Sequence, residues 1–282
     1  MLIAQLTDIH LGFDLTDPDE LNAQRFEQAL GHLERRRVAP DLLIVSGDLT
    51  EHGDVASYAR LVERLRRFPA PVHYALGNHD IRAAFRTVMP DAPSIDGFLQ
   101  YALDLGGLRL LVLDTLEEGR HGGAFCAVRA EWLRRELAAH PDTPAVIVMH
   151  HPPFDTGIEW LTADPGEPWV AAFRAAIAGA PQVRAVLSGH IHRAIIGAQG
   201  GVPMLVSPSV APAVHLTLAP MDPGAPDGRP LVTVEPPGYA LHLWRGGALV
   251  SHMASAVDYP ALAKFDTRMQ GLVRHLKDER AH

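Results

Sequence analysis

The chain has 282 residues, 47% of them apolar and 21% charged, proportions of a folded soluble protein that exclude a disordered one. Its 25 Lys and Arg against 33 Asp and Glu leave a net charge of −8, which argues against a nucleic-acid partner, because phosphate-backbone binding needs a basic surface. A single cysteine, Cys126, excludes an intramolecular disulfide; with no apolar run of membrane-spanning length and no signal-like N-terminus, the expectation is a cytoplasmic protein with no membrane partner.

In chain order, Leu2 to Leu6 read as a buried strand that stops at Asp8 and His10. Two residues apart on an extended backbone, their side chains are expected on one face, as in a metal clamp. Alone, the pair also fits a turn aspartate and a surface histidine. A helix is expected after Asp17-Pro18, with Leu21, Phe26, Ala29, Leu30 and Leu33 at helical spacing, ending at Arg35-Arg36-Arg37.

The pattern then repeats. A strand over 41–46 runs into Gly47-Asp48, and after a helix over 54–67 a third strand, 72–76, runs into Gly77-Asn78-His79-Asp80. A helix over 81–88, a strand over 108–114 and a helix over 128–140 follow. Strand 145–149 stops at His150-His151-Pro152-Pro153. Residues 154–169, with Phe154, Trp160 and Trp169, form a loop expected at the mouth of a site, before a helix over 168–179. Strand 183–187 stops at Gly189-His190-Ile191-His192. Apolar strands that end abruptly on Asp, Asn or His are what one site at the carboxyl ends of neighbouring strands produces.

Beyond His192, residues 204–207 read as a strand and 220–230 as a proline-rich connection. Residues 231–235, 239–244 and 248–253 read as short antiparallel strands, the last two joined at Gly246-Gly247, and 260–282 as a surface helix or tail.

The series D-x-H, G-D, G-N-H-D, H-H-P-P and G-H-I-H resembles the calcineurin-like metallophosphoesterases, and within them the class III cyclic nucleotide phosphodiesterases and their glycerophosphodiesterase relatives. The resemblance implies an α/β fold: a four-layer αββα sandwich of two mixed sheets flanked by helices, built as one domain over 1–282. Its core, 1–200, would carry the motifs, and 201–282 would complete the second sheet and add a helix or tail.

Asp8, His10, Asp48, Asn78, His150, His190 and His192 offer nitrogen and oxygen ligands without a thiolate. That set is too large for one catalytic zinc and suits two transition-metal ions, divalent or trivalent, among iron, manganese, zinc and cobalt. By the resemblance, Asp8, His10 and His192 hold the first metal, Asn78, His150 and His190 the second, and Asp48 bridges them. His79 is then placed to protonate a leaving alkoxide or to stabilise its charge, with a structural role as the alternative. His151 is expected to support the ligands or to pack, Asp80 to orient His10 or His79 or to cap a helix, and Arg82 and Arg193 to touch phosphate or to form surface pairs.

Glu51 stands where purple acid phosphatases have a metal-bound tyrosine, and Leu76 where protein phosphatases have an arginine. A monoester dianion gains most from an added cation, so these departures favour diesters. The expected function is hydrolysis of small phosphodiesters, either 3',5'-cyclic nucleotides or glycerophosphodiesters, with a phosphomonoesterase, a nuclease or a non-catalytic scaffold as alternatives. A homo-oligomer is a weaker expectation from the C-terminal strand edges and tail.

Overall fold

The structure, a computed structural model, describes residues 1–281. Its first half runs β1 (Leu2–Leu6), α1 (Leu21–Glu34), β2 (Leu42–Ser46), α2 (Val55–Leu65), β3 (Val72–Ala75), α3 (Arg82–Val88), β4 (Tyr101–Asp104), β5 (Arg109–Val112) and α4 (Ala127–Ala139). Then come β6 (Ala145–Val148), α5 (Pro168–Ile177), β7 (Val183–Ser188), β8 (Ile195–Gln199), β9 (Val202–Val206), β10 (Ala213–Val214), β11 (Val232–Thr233), β12 (Gly238–Arg245), β13 (Ala248–Ser255) and α6 (Gln270–Asp278).

Two mixed sheets stack face to face, one ordered β13-β12-β1-β2-β3 and the other β4-β5-β6-β7-β9-β8. Strands β1, β2 and β3 are parallel, as are β5, β6, β7 and β9, so their carboxyl ends point one way and their loops share one rim. Residues alternate across β5 and β6. Leu110, Val112, Val146 and Val148 face the other sheet, while Leu111, Ala145 and Ile147 face α4 and α5. This alternation of period two explains the near-continuous apolar runs: both faces of these strands are covered.

Helices α1 and α2 cover the outer face of the first sheet. Tyr58, Leu61, Val62 and Leu65 form the buried stripe of α2, and the fully buried Leu61 makes Leu61→Ala worth about 2–5 kcal/mol. Asp54 starts α2 by accepting from Ser57 N. Helix α1 begins at Leu21, directly after the expected start region 17–20. Glu20 supplies the cap by accepting from Asn22 N and Ala23 N, while its carboxylate also accepts from Gly12 N.

The C-terminal strands correct one expectation. β12 and β13 complete the first sheet, with β12 antiparallel to β1, and leave the second sheet to β4–β9. The reason is physical: β1 is apolar on both faces and pairs β2 along only one edge, and β12 covers the other. β11 joins neither sheet and pairs β10 as a separate ribbon. Two strands that the sequence does not announce, β4 and β8, are the two edges of the second sheet. Helix α6 lies on the surface, with none of its described residues buried.

Candidate metal centre

All seven sequence-derived ligand residues converge at the carboxyl rim, because each follows a strand whose neighbours end at the same level. The loops after β1 and β2 are tied together by Asp8 N donating to Gly47 O and by Ile9 N and His10 N donating to Asp48 O. Gly189 N donates to His150 O and so joins the loops after β6 and β7. Gln5 crosses between the sheets, its amide donating to Ser46 Oγ and to Ser188 O.

The backbone does not follow the expected extended path. Asp8, His10, Asp48, His190 and His192 have φ of 52°, 50°, 48°, 69° and 54°, in the left-handed region that side chains avoid. Among the described residues, Asp96 is the remaining non-glycine with positive φ. Such strain, about 1–3 kcal/mol per residue, concentrates where side chains must be aimed at a point. Asp8 and His10 therefore meet through two tight turns, not through the alternation of a strand. Gly77 is required beside them, since a Cβ there would press on Asp48 Oδ1 and lie 2.7 Å from His150 Nε2.

Two groups of donor atoms result. In the first, His10 Nε2 lies 3.2 Å from His192 Nε2 and 3.5 Å from Asp48 Oδ2, and Asp8 Oδ1 lies 3.4 Å from His192 Nε2. In the second, His150 Nε2 is 3.2 Å from both Asn78 Oδ1 and Asp48 Oδ2, with the His190 ring 5.2 Å from the His150 ring, centroid to centroid. Asp48 Oδ2 thus faces both groups.

The tautomers decide whether a cation fits. His10 Nδ1 donates to Glu51 Oε2 at 2.7 Å, His192 Nδ1 to the Pro212 carbonyl at 2.8 Å and His150 Nδ1 to the Ser46 carbonyl at 3.0 Å. None of these oxygens can donate, so in each neutral ring the proton sits on Nδ1 and the Nε2 lone pair points inward. Inward lone pairs 3.2–3.5 Å apart, next to buried carboxylates, match the spacing of ligands around a transition metal about 2.0–2.2 Å from each. Asp8, His10, Asp48 and His192 place one donor atom each within 4.8 Å of one another, and so do His150, His151 and His190.

Against burial, Asp48 and Asp8 push the His150 ring up to about 9, and Asp8 raises His192, so without metal these rings carry the positive charge that a cation would supply. Burial raises the Asp48 carboxyl, but the surrounding His150, His10 and His79 rings together reverse this, and the group is held well below the ordinary carboxylate range. Burial lowers His190 to about 3, reinforced by His150, so the ring is neutral and able to donate a lone pair.

The sequence profile of the calcineurin-like phosphoesterases matches residues 1–194, well over half of the chain. The chain belongs to the calcineurin-like phosphoesterase family. A probable cyclic nucleotide phosphodiesterase of Rhodopseudomonas palustris is 31% identical over 254 residues, 87% of this chain and 89% of the relative. A probable glycerophosphodiester phosphodiesterase of Arcobacter nitrofigilis is 24% identical over 86% of this chain and 89% of its own. The fold matches that of a dimetal phosphatase from Danio rerio with a TM-score of 0.66 over 92% of this chain and 97% of the other, at 14% identity. Family membership fits the layered fold and the His/Asp cluster able to hold metal ions.

Around the ligands, several side chains lie elsewhere than expected. Asp80 neither orients a histidine nor caps α3. Its carboxylate accepts from Gly77 N, Leu49 N and Tyr58 OH and ties together the loops after β2 and β3. Burial first, and then Asp48, push it up to about 7. Arg82 is bidentate to Asp114, and Arg193 is held by Val214 O and Glu235, so neither guanidinium reaches the cluster. His151 serves as support, with Nδ1 2.8 Å from Thr115 Oγ1 and Nε2 donating to His121 O.

Two residues that sequence reasoning left without a role emerge. Glu51 buttresses His10, and His121 Nδ1 accepts from Asn78 Nδ2 at 3.3 Å, which turns the Asn78 carbonyl toward His150. His121 carries no motif signal beyond its place in a glycine-bearing loop. His79 Nδ1 donates to the Glu51 carbonyl at 3.0 Å, and its ring stands 4.5 Å from that of His10, centroid to centroid.

These groups open into a cavity of about 720 Å³. His10, Asp48, Asn78, His79 and His192 form its floor, and Phe13, Leu21, Trp160, Leu161, Val214 and Val232 form much of its wall. Among the described residues lining it there is no lysine or arginine.

Proposed function

We propose that this family member hydrolyses small phosphodiesters, either 3',5'-cyclic nucleotides or glycerophosphodiesters, at a two-metal centre held by Asp8, His10, Asp48, Asn78, His150, His190 and His192. The observation that carries this reading is the inward-facing Nε2 lone pairs of His10, His192 and His150 around Asp48, at the floor of a cavity that contains His79 and no side-chain cation. A monoester dianion would find no arginine there, whereas the single charge of a diester needs none. The names of the relatives above point to the same two substrate classes.

Asp8, His10 and His192 would hold one ion, Asn78, His150 and His190 the other, and Asp48 both. Ions of this class lower the pKa of water toward neutrality and offset charge on phosphoryl oxygens. Asp48 limits the repulsion between two dications, and Asn78 supplies a neutral carbonyl. The donor set accepts iron, manganese, zinc or cobalt.

His79 is the proposed general acid. With Nδ1–H committed to the Glu51 carbonyl, Nε2 carries the proton that passes to the departing alkoxide, and Glu51 Oε1, 3.7 Å from Nδ1, offsets the charge on the ring.

No helix among the described residues is long and apolar enough to cross a membrane. A cytoplasmic location is proposed on the free thiol of Cys126, which suits a reducing compartment. A homo-oligomer is proposed on the exposed Leu262, Phe265 and Leu272 of the C-terminal segment, to be checked by light scattering.

The deciding experiment is turnover of metal-loaded protein on cyclic AMP and on glycerophosphoethanolamine, with p-nitrophenyl phosphate as the monoester control. Cleavage of either diester above the monoester supports the proposal and identifies the class; cleavage of the monoester alone contradicts it.

A further inference from the structure

Behind the metal cavity lies a smaller annex of about 140 Å³. Two loops form it. Residues 121–123 make one side, and the segment carrying Trp160, Leu161 and Ala163 makes the other. His121, Trp160, Leu161 and His190 line both the annex and the metal cavity, so the two spaces meet at the second group of donor atoms. Gly123 lets its loop lie close against His151 and Trp169: a Cβ there would lie 3.1 Å from both.

The polar atoms of Trp169 and His151 in the wall already have partners. Trp169 Nε1 donates to Glu167 Oε2, and both nitrogens of His151 are engaged by Thr115 and His121. The Trp160, Trp169, Leu161 and Ala163 side chains therefore give the annex ring faces and methyl groups beside its polar edge. Among its described lining residues there is no arginine or lysine, and Glu167 opposes an anion. A cavity on the order of 150 Å³ is the size that admits a benzene ring. Aromatic walls favour flat occupants through stacking, whatever the ring's substituents.

We infer that the annex is the subsite for a flat, uncharged ring carried by the substrate, as in a nucleoside-bearing diester, and that Trp160 and Ala163 determine that specificity. The inference rests on the diesterase reading and sharpens it. A glycerophosphodiester of ethanolamine has no group that fills this space.

The test uses two diesters with the same leaving group, thymidine 5'-(p-nitrophenyl phosphate) and ethyl p-nitrophenyl phosphate, with metal-loaded wild type, Trp160→Ala and Ala163→Leu. The first variant removes a wall and the second fills the space. In both, the ratio of kcat/KM for the nucleoside ester to that for the ethyl ester is expected to fall by about tenfold or more, mostly through KM. An unchanged ratio in both overturns the assignment.

Wild type that cleaves neither ester contradicts the diesterase reading instead. The annex is then judged on free thymidine by saturation-transfer NMR. A signal lost in Ala163→Leu upholds the subsite, and an equal signal in both proteins overturns it.

Discussion

His10 and His192 hold their Nε2 atoms 3.2 Å apart while each ring gives its Nδ1 hydrogen to another group, Glu51 in one case and the Pro212 carbonyl in the other. Against burial, the neighbouring Asp8 raises the His192 ring, so without metal a proton can sit between these nitrogens, and a cation takes its place with a bond to each ring. Metal binding and folding stability are therefore coupled. Chelation is expected to lower the thermal midpoint, and metal at a hundredfold excess over its Kd to restore about 2.7 kcal/mol. Melting curves across a manganese or zinc series check this, and a midpoint indifferent to metal contradicts it.

Glu51 reaches the same site from outside the ligand set. Its Oε2 accepts from His10 Nδ1 at 2.7 Å, which fixes the ring's orientation and its tautomer. Glu51→Ala should weaken metal binding by about ten- to a hundredfold with the fold intact. Competition with a fluorescent chelator measures the change. Wild-type affinity in the variant would mean that packing alone aims His10.

For His79 the prediction separates leaving groups. His79→Ala should keep both metals, because His79 belongs to neither donor group, yet lose about 10²–10⁴ in kcat on an alkoxide leaving group. Loss on p-nitrophenolate, which departs without a proton, should be much smaller. Parallel loss on both would assign His79 to binding.

A buried histidine remote from the donor atoms sets a pH limit on the fold. His242 Nε2 donates to Gln5 Oε1 at 3.0 Å and Nδ1 accepts from Ser251 Oγ at 2.8 Å, so the neutral ring is fully satisfied. Burial lowers it from 6.5 to about 3. Between those values the unfolded chain binds a proton that the folded chain does not. Its contribution is therefore complete above pH 6.5 and is lost progressively as pH falls toward 3, by about 1.4 kcal/mol per unit at most. In urea titrations, the stability lead of wild type over His242→Gln should shrink as pH drops from 7 to 5, where a constant lead would assign the ring no role in the acid response.

The convergence of the candidate ligands could be read from the chain because each sits immediately beyond an apolar run, and the pairing of parallel strands brings those run ends together. What the sequence hid is of three kinds. The left-handed backbone at Asp8, His10 and Asp48 is invisible because side-chain type gives no warning of it outside glycine. Edge strands β4 and β8 are short or interrupted, the latter by Gly197, and half-exposed, so their periodicity is faint. The pairing of β12 with β1 joins the two ends of the chain, Leu2 against Leu243, and no local pattern encodes such a register. Glu51 and His121 were hidden for a simpler reason: a lone polar residue in a loop looks the same whether or not it touches a ligand.

The central claim is a two-metal diesterase, and metal stoichiometry tests it most directly. Metal-stripped protein titrated with manganese or zinc, and assayed at each step on bis(p-nitrophenyl) phosphate, should reach full activity at two ions per chain, with Asp48→Asn unable to hold the pair. Full activity at one ion, or activity without metal, would contradict the account.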